Sequence, residues 1–179
     1  MDAESDYHLK IKKSKIAGNG VFATKKIKKG KTIIFLNGEI CSSLEISKRI
    51  IKNEEAPSDP LQIDEKTYID LNEISRTFNH SCSPNAFIKG KNELVALKDI
   101  SKGEEITYDY STTMDEKKSD MLAPEKEFWV CNCHCGSINC RKKIDQFKTL
   151  PKELKKYYLK NKLVPDFILK KYAKFYKNK

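Results

Sequence analysis

No uninterrupted run of apolar residues in this chain is longer than four, residues 33–36 (Ile33, Ile34, Phe35, Leu36) being one such run. A membrane-crossing helix needs ~20, so a bilayer span is excluded and no membrane partner is expected. The opening Met1, Asp2, Ala3, Glu4, Ser5, Asp6 is acidic and lacks the apolar stretch of a secretory signal, so an intracellular, reducing compartment is expected, cytoplasmic or nuclear. Internal repeats are missing, as are low-complexity tracts apart from a lysine bias. What is present suits one domain with a small appendage: 179 residues, 39% of them hydrophobic, with enough chain to bury a core. Six cysteines are spread unevenly, Cys131, Cys133, Cys135 and Cys140 crowding together, which in a reducing compartment reads as metal binding before disulfides. Charge is uneven too. From Arg141 onward 14 basic residues face Asp145, Glu153 and Asp166, a net of +11, while residues 1–140 carry 21 basic and 22 acidic residues. The body is neutral, and the tail holds the excess.

Short apolar stretches separated by turn residues point to a mostly β body with short helices. Strands are expected around Lys10 and Ile11, at 21–23 after a turn at Gly18-Asn19-Gly20, at 32–36, and at 61–63, 67–70, 86–88, 94–97 and 105–108. Asn37-Gly38 is a strong turn pair. Ser42 with Glu45 fits a capping box, and Leu44, Ile46, Ile50 and Ile51 give a short helix ending near Asn53. Pro57 and Pro60 enforce a loop. Residues 111–126 show no sustained period and read as a surface linker. Beyond the cysteines, Leu154, Tyr157, Tyr158, Ile168, Leu169, Tyr172, Phe175 and Tyr176 recur at helical spacing, with Pro151 and Pro165 at first-turn positions: two amphipathic helices.

Three stretches carry chemistry. Gly18-Asn19-Gly20 allows a tight turn and close backbone approach to a ligand, but without a third glycine and a long helix it is no dinucleotide fingerprint. In 76–85, Arg76, Thr77, Phe78, Asn79, His80, Ser81, Cys82, Ser83, Pro84 and Asn85 suit neither strand nor helix and would make a poor core. The stretch 99–110 ends in Tyr108 and Tyr110, which face the same way if extended.

With these pieces the chain resembles the SET-domain protein lysine methyltransferases. GNGVFA (18–23), NHSCSPN (79–85), GEEITYDY (103–110) and CHCGSINCR (133–141) stand in that family's order. The resemblance implies a SET-type fold of several small sheets with a knot-like junction where the NHSC segment meets the later tyrosines. It implies S-adenosylmethionine as methyl donor, cradled by the backbone around Gly18, Asn19 and Gly20 and contacted by Asn79 and His80. Tyr110 takes the place of the catalytic tyrosine, and Tyr108 that of the residue tuning how many methyl groups are added. Residues 8–112 would form the SET domain, 113–127 a linker, 128–147 a post-SET zinc segment and 148–179 a basic helical tail behind a flexible stretch, 1–7. Three positions depart from the family pattern: Leu36 and Thr77 stand where aromatics are common, and Leu61 where some relatives place a cofactor-contacting tyrosine.

A structural zinc site wants four thiolates in a closed tetrahedron. The resemblance supplies Cys82, Cys133, Cys135 and Cys140 as ligands of one Zn2+, with Cys131 and His134 as rival ligands. Cys41 reads as a small buried residue and His8 as a surface histidine. The basic tail either covers the body or docks on nucleic acid or another acidic surface; its apolar spacing favours covering. The expected partner is a protein presenting a lysine, a histone or other basic protein. A non-catalytic zinc module on nucleic acid is the rival, and Asn79, His80 and Tyr110 speak against it.

Overall fold

Five small sheets build the body, and the computed structural model describes residues 8–173 of it. The expected flexible start and the helical positions Phe175 and Tyr176 lie outside those residues. Strands β1 (Leu9–Lys13) and β2 (Asn19–Ala23) pair antiparallel across the Gly18 turn. A three-stranded sheet in the order β3-β9-β8 joins β3 (Thr32–Phe35), β8 (Ala86–Lys89) and β9 (Glu93–Ala96); a second, in the order β4-β6-β5, joins β4 (Gly38–Ser42), β5 (Pro60–Asp64) and β6 (Thr67–Leu71). The inward faces meet in one core containing Leu9, Val21, Ile34, Leu36, Leu61, Ile69, Phe78, Ile88, Leu94 and Ile106. Leu36 and Leu61, two of the departures from the family pattern, are thus core residues.

The period-two alternation of strands gives each three-stranded sheet a second apolar face. On β6, Ile69 and Leu71 enter the main core while Tyr68 turns the other way. There it meets Cys41, Ile46 and Ile50, the last two from helix α1 (Ser43–Ile51). That helix starts where expected, with both arms of the Ser42–Glu45 capping box formed. The expected turn at Asn37-Gly38 is not a hairpin. The chain leaves one sheet at β3 and enters the other at β4, where a side chain on Gly38 would put Cβ 1.8 Å from the Asp70 carbonyl oxygen. Glycine is needed here for close approach of backbone.

Phe87 and Leu97 lie on the outer side of the β3-β9-β8 sheet. The tail helices α4 (Lys152–Lys160) and α5 (Asp166–Tyr172) cover them with a second cluster of Phe147, Leu150, Tyr158, Leu159, Leu163, Val164, Phe167 and Ile168. The backbone N–H of Asp166 ties α5 to Gly90. Residues 111–126 are not all surface. Ser111, Thr112, Thr113 and Asp115 are buried, and Asp115 is paired with Lys171 at 2.6 Å and with the Tyr172 hydroxyl. Two short helices escaped the sequence pattern, α2 (Glu73–Arg76) and α3 (Pro124–Glu127), each a single turn too short for periodicity to reveal.

Candidate active site and cysteine cluster

Two stretches distant in sequence are locked together at the site. Strand β7 (Asn79–His80) pairs parallel with β10 (Thr107–Tyr108), so the stretch judged fit for neither strand nor helix does contain a minimal strand. Asn85 staples the two stretches: its Nδ2 donates to the Glu105 carbonyl and its Oδ1 accepts the Thr107 N–H at 2.8 Å. With 4% exposure, Asn85 replaces a ladder too short to hold on its own.

The Gly18 loop comes against this junction. Asn79 donates through Nδ2 to the carbonyls of Ala17 and Asn19 and to Glu105, the latter at 2.8 Å. Glu105 also accepts from the Ser14 hydroxyl. A Cβ on Gly20 would stand 2.1 Å from Glu105 Oε1, so a side chain there would push the Glu105 carboxylate off Asn79 and Ser14. Gly18 and Asn19 remain exposed, with open space where a Gly18 side chain would be. No hydrogen bond among the described residues uses Asn79 Oδ1, which leaves an acceptor beside this backbone. The loop and Asn79 therefore fit a zwitterionic amino-acid group.

Tyr110 is the centre of an aromatic group. Its ring lies 4.9 Å from Tyr108, 5.5 Å from His80 and 5.8 Å from Trp129. Its hydroxyl donates to the Phe78 carbonyl at 2.5 Å. Burial pushes the phenols of Tyr110 and Tyr108 above their ordinary value, so both stay protonated at neutral pH and act as dipoles, not bases. Trp129 and the Phe78 carbonyl were not singled out by sequence. A carbonyl leaves no trace in residue identity, and one half-buried tryptophan beside cysteines has no signature spacing.

His80 is 3% exposed, and its Nδ1 accepts the backbone N–H of Tyr110 at 3.1 Å. Burial brings it down to about 4, against the pull of Asp109, so the ring is neutral. The ring proton must then sit on Nε2, 3.3 Å from Cys82 Sγ, as a donor to sulfur. A neutral ring in that tautomer has no lone pair left for a metal.

Metal-ligating atoms of His80, Cys82, Cys133 and Cys135 lie within 4.8 Å of one another. Cys82 and Cys133 sulfurs are 3.7 Å apart, and the Cys82 N–H points at Cys135 Sγ at 3.4 Å. With His80 acting as a donor, the group is three thiols lacking a fourth. Cys140 lies alongside, its sulfur 3.6 Å from the Cys133 carbonyl oxygen. Cys140, Cys131 and the exposed His134 all lie outside the 4.8 Å group, Cys140 being the one whose sulfur lies against Cys133. Burial pushes Cys133 up and Cys82 up to about 11; it pulls Cys135 up as well, but the Cys82 N–H and Ser137 outweigh it and bring Cys135 down to about 6. Thiols packed this closely cannot all ionise unaided, and a dication is what such a donor set fits. Strands β11 (Cys131–Asn132) and β12 (Lys143–Ile144) close the loop bearing three of them.

Comparison with known proteins agrees with this layout. Residues 18–111 match the family model described as SET domain. The Variant-silencing SET domain-containing protein of Plasmodium falciparum is 39% identical over 149 residues, 74% of this chain and 5% of its own length. The H3 lysine-9 specific histone-lysine N-methyltransferase dim-5 of Neurospora crassa is 30% identical over 164 residues, 74% of this chain and 50% of its own length. The chain therefore spans half or less of these relatives. Among solved structures, the methyltransferase domain of human SETMAR shares the fold, with a TM-score of 0.61 at 24% identity over 78% of this chain and 58% of that one.

Proposed function

Because the chain belongs to the SET-domain family, we propose that it methylates the side-chain amine of a protein lysine, with histones the leading substrate class. SET methyltransferases use S-adenosylmethionine, which supplies an electrophilic methyl on a sulfonium when bound. The observation carrying the reading is the β7–β10 pairing, which gathers Tyr110, Tyr108 and the Phe78 carbonyl beside the open backbone of Gly18 and Asn19.

Each residue has a task in this reading. The backbone at Gly18, Asn19 and Gly20, with Asn79 Oδ1, holds the amino-acid end of the donor, and the His80 segment flanks its other end. A lysine amine must arrive neutral, which at pH 7 costs about 4–5 kcal/mol from a reference value of about 10.4. The buried aromatic walls of Tyr108, Tyr110 and Trp129 lower that cost by disfavouring the ammonium. Tyr110, fixed by its bond to the Phe78 carbonyl, keeps a phenol lone pair for aligning the amine. Tyr108 limits the room beside that amine and so the number of methyls added. Cys82, Cys133, Cys135 and Cys140 hold one structural zinc, with His80 bonded to the Cys82 sulfur.

Chromatin is the proposed setting, and the exposed Lys152, Lys156 and Lys160 on α4 suit an acidic surface there, nucleic acid included. The test incubates the protein with labelled methyl donor and nucleosomes, free histones or a cell extract, and maps modified residues by mass spectrometry. Tyr110→Phe should lose at least about a hundredfold in turnover with unchanged donor affinity, because the hydroxyl acts on the reacting amine. Turnover within a few-fold of the parent would remove Tyr110 from that role.

A further inference from the structure

Between the two tyrosines of the 107–110 stretch sits Asp109, 2% exposed. A buried carboxylate is tolerated only when its oxygens are fully partnered. Oδ1 accepts the Ser111 N–H at 3.1 Å and Arg141 Nη2 at 2.7 Å. Oδ2 accepts Arg141 Nη1 at 2.8 Å and the Tyr158 hydroxyl at 2.8 Å. His80 Nδ1 is 3.5 Å away. One carboxylate thus joins the cysteine loop to the tail helix α4, beside the His80 ring of β7, and it caps the 3-10 turn Tyr110–Thr112 that begins with Tyr110 itself. Tyr158 lies outside residues 18–111, so the family match does not account for it.

We propose that Tyr158 is a positioning residue for methyl transfer: the tail, through the Tyr158 hydroxyl on Asp109, fixes the backbone turn at Tyr110, whose own hydroxyl is bonded to the Phe78 carbonyl. This rests on the role given to Tyr110 above. The tail's other contacts do not require it. Leu159, Phe167 and Ile168 cover the outer face of the β3-β9-β8 sheet by area alone, and a phenylalanine would serve equally there. Among the described residues the hydroxyl has one partner, Asp109, and that partner neighbours the reacting group. Burial beside Asp109 pushes the phenol far above its ordinary value, so it donates at any pH the protein survives. Without it, Oδ2 keeps only one Arg141 nitrogen, and the carboxylate can turn toward Arg141 and carry the Tyr110 turn with it.

The test compares the full chain with Tyr158→Phe and Leu159→Ala, well below their melting temperatures, on a short lysine peptide. Tyr158→Phe should lower kcat about tenfold with KM for the peptide unchanged, since a displacement well under 1 Å at an aligned group is costly. Its Tyr110 and Ser111 amides should exchange hydrogen several-fold faster, with protection in β8 and β9 unaltered. Leu159→Ala should lower the melting temperature and leave kcat and both amides near the parent. A folded Tyr158→Phe with parental kcat and exchange overturns the proposal, as does an equal loss of kcat in both variants. Faster exchange at Tyr110 with parental kcat overturns the reading of Tyr110 itself, and the positioning role falls with it. Should Tyr158→Phe not melt cooperatively, Tyr158→Met, a flexible apolar side chain without a donor, serves for the same comparison.

Discussion

A carboxyl group taken out of water with one oxygen unpartnered is sensitive to pH, and Glu55 is such a group. Its Oε1 is buried without a hydrogen-bond partner, and Asp70, beside it, is held by Arg49 at 2.7 Å and Arg76 at 3.4 Å. Burial first, then the hydrogen bond with Asp70, pushes Glu55 up from 4.5 to about 7. Its folded value lies above its unfolded one, so the stability tied to the protonated form is intact below about 4.5 and is lost as pH rises through about 7. Glu55→Gln, which cannot ionise, should raise the melting temperature at pH 8 relative to the parent. The gain should vanish near pH 4. A difference of equal size at both pH values would contradict this. At this scale the sequence is legible where a side chain acts within its own segment, as in the Ser42–Glu45 box and buried Cys41. It is illegible where partners are far apart in the chain. Asp109 between two tyrosines is the instructive miss: an acid inside an apolar strand signal demands a cation, and Arg141 was available directly after the last cysteine.

Elements were legible in proportion to their length. The strands of four and five residues other than β4, with α1 and the tail helices, carry enough alternation or helical period to be read; β4, hidden behind the turn expected at Asn37-Gly38, was missed, as were β7, α2 and α3. Sheet membership was not readable at Asn37-Gly38, because the same pair serves a hairpin or a crossing between sheets. The cysteine loop is the element with the most direct test. Purified protein should carry one zinc per chain, and Cys82→Ser, Cys133→Ser, Cys135→Ser and Cys140→Ser should each release it with a fall in melting temperature. Cys131→Ser should keep it, its thiol bonding the Asn132 carbonyl, whereas the Cys140 thiol lies against the Cys133 carbonyl. Stoichiometric zinc retained in Cys140→Ser would return His80 to the ligand set and contradict the tautomer assigned from the Tyr110 N–H.

Across the whole molecule, neutral body and basic tail share one apolar interface, with Lys152, Lys156 and Lys160 exposed on α4 and Lys171 paired with the buried Asp115. Ile168, wholly buried in that interface, should cost about 2–5 kcal/mol on Ile168→Ala, lowering melting temperature and, at working temperature, turnover of a short peptide and of nucleosomes together. A loss confined to nucleosomes would instead give the tail to polyanion docking, with a salt slope falling by about 0.9 for each phosphate contact removed. The Asp109 carboxylate adds a constraint of another kind, one of order in time. Its partners arrive at positions 111, 141 and 158, so a chain growing from its N-terminus completes them only when α4 has been synthesised. On the role proposed for Tyr110, a nascent chain would gain its aligned tyrosine only once the tail has docked.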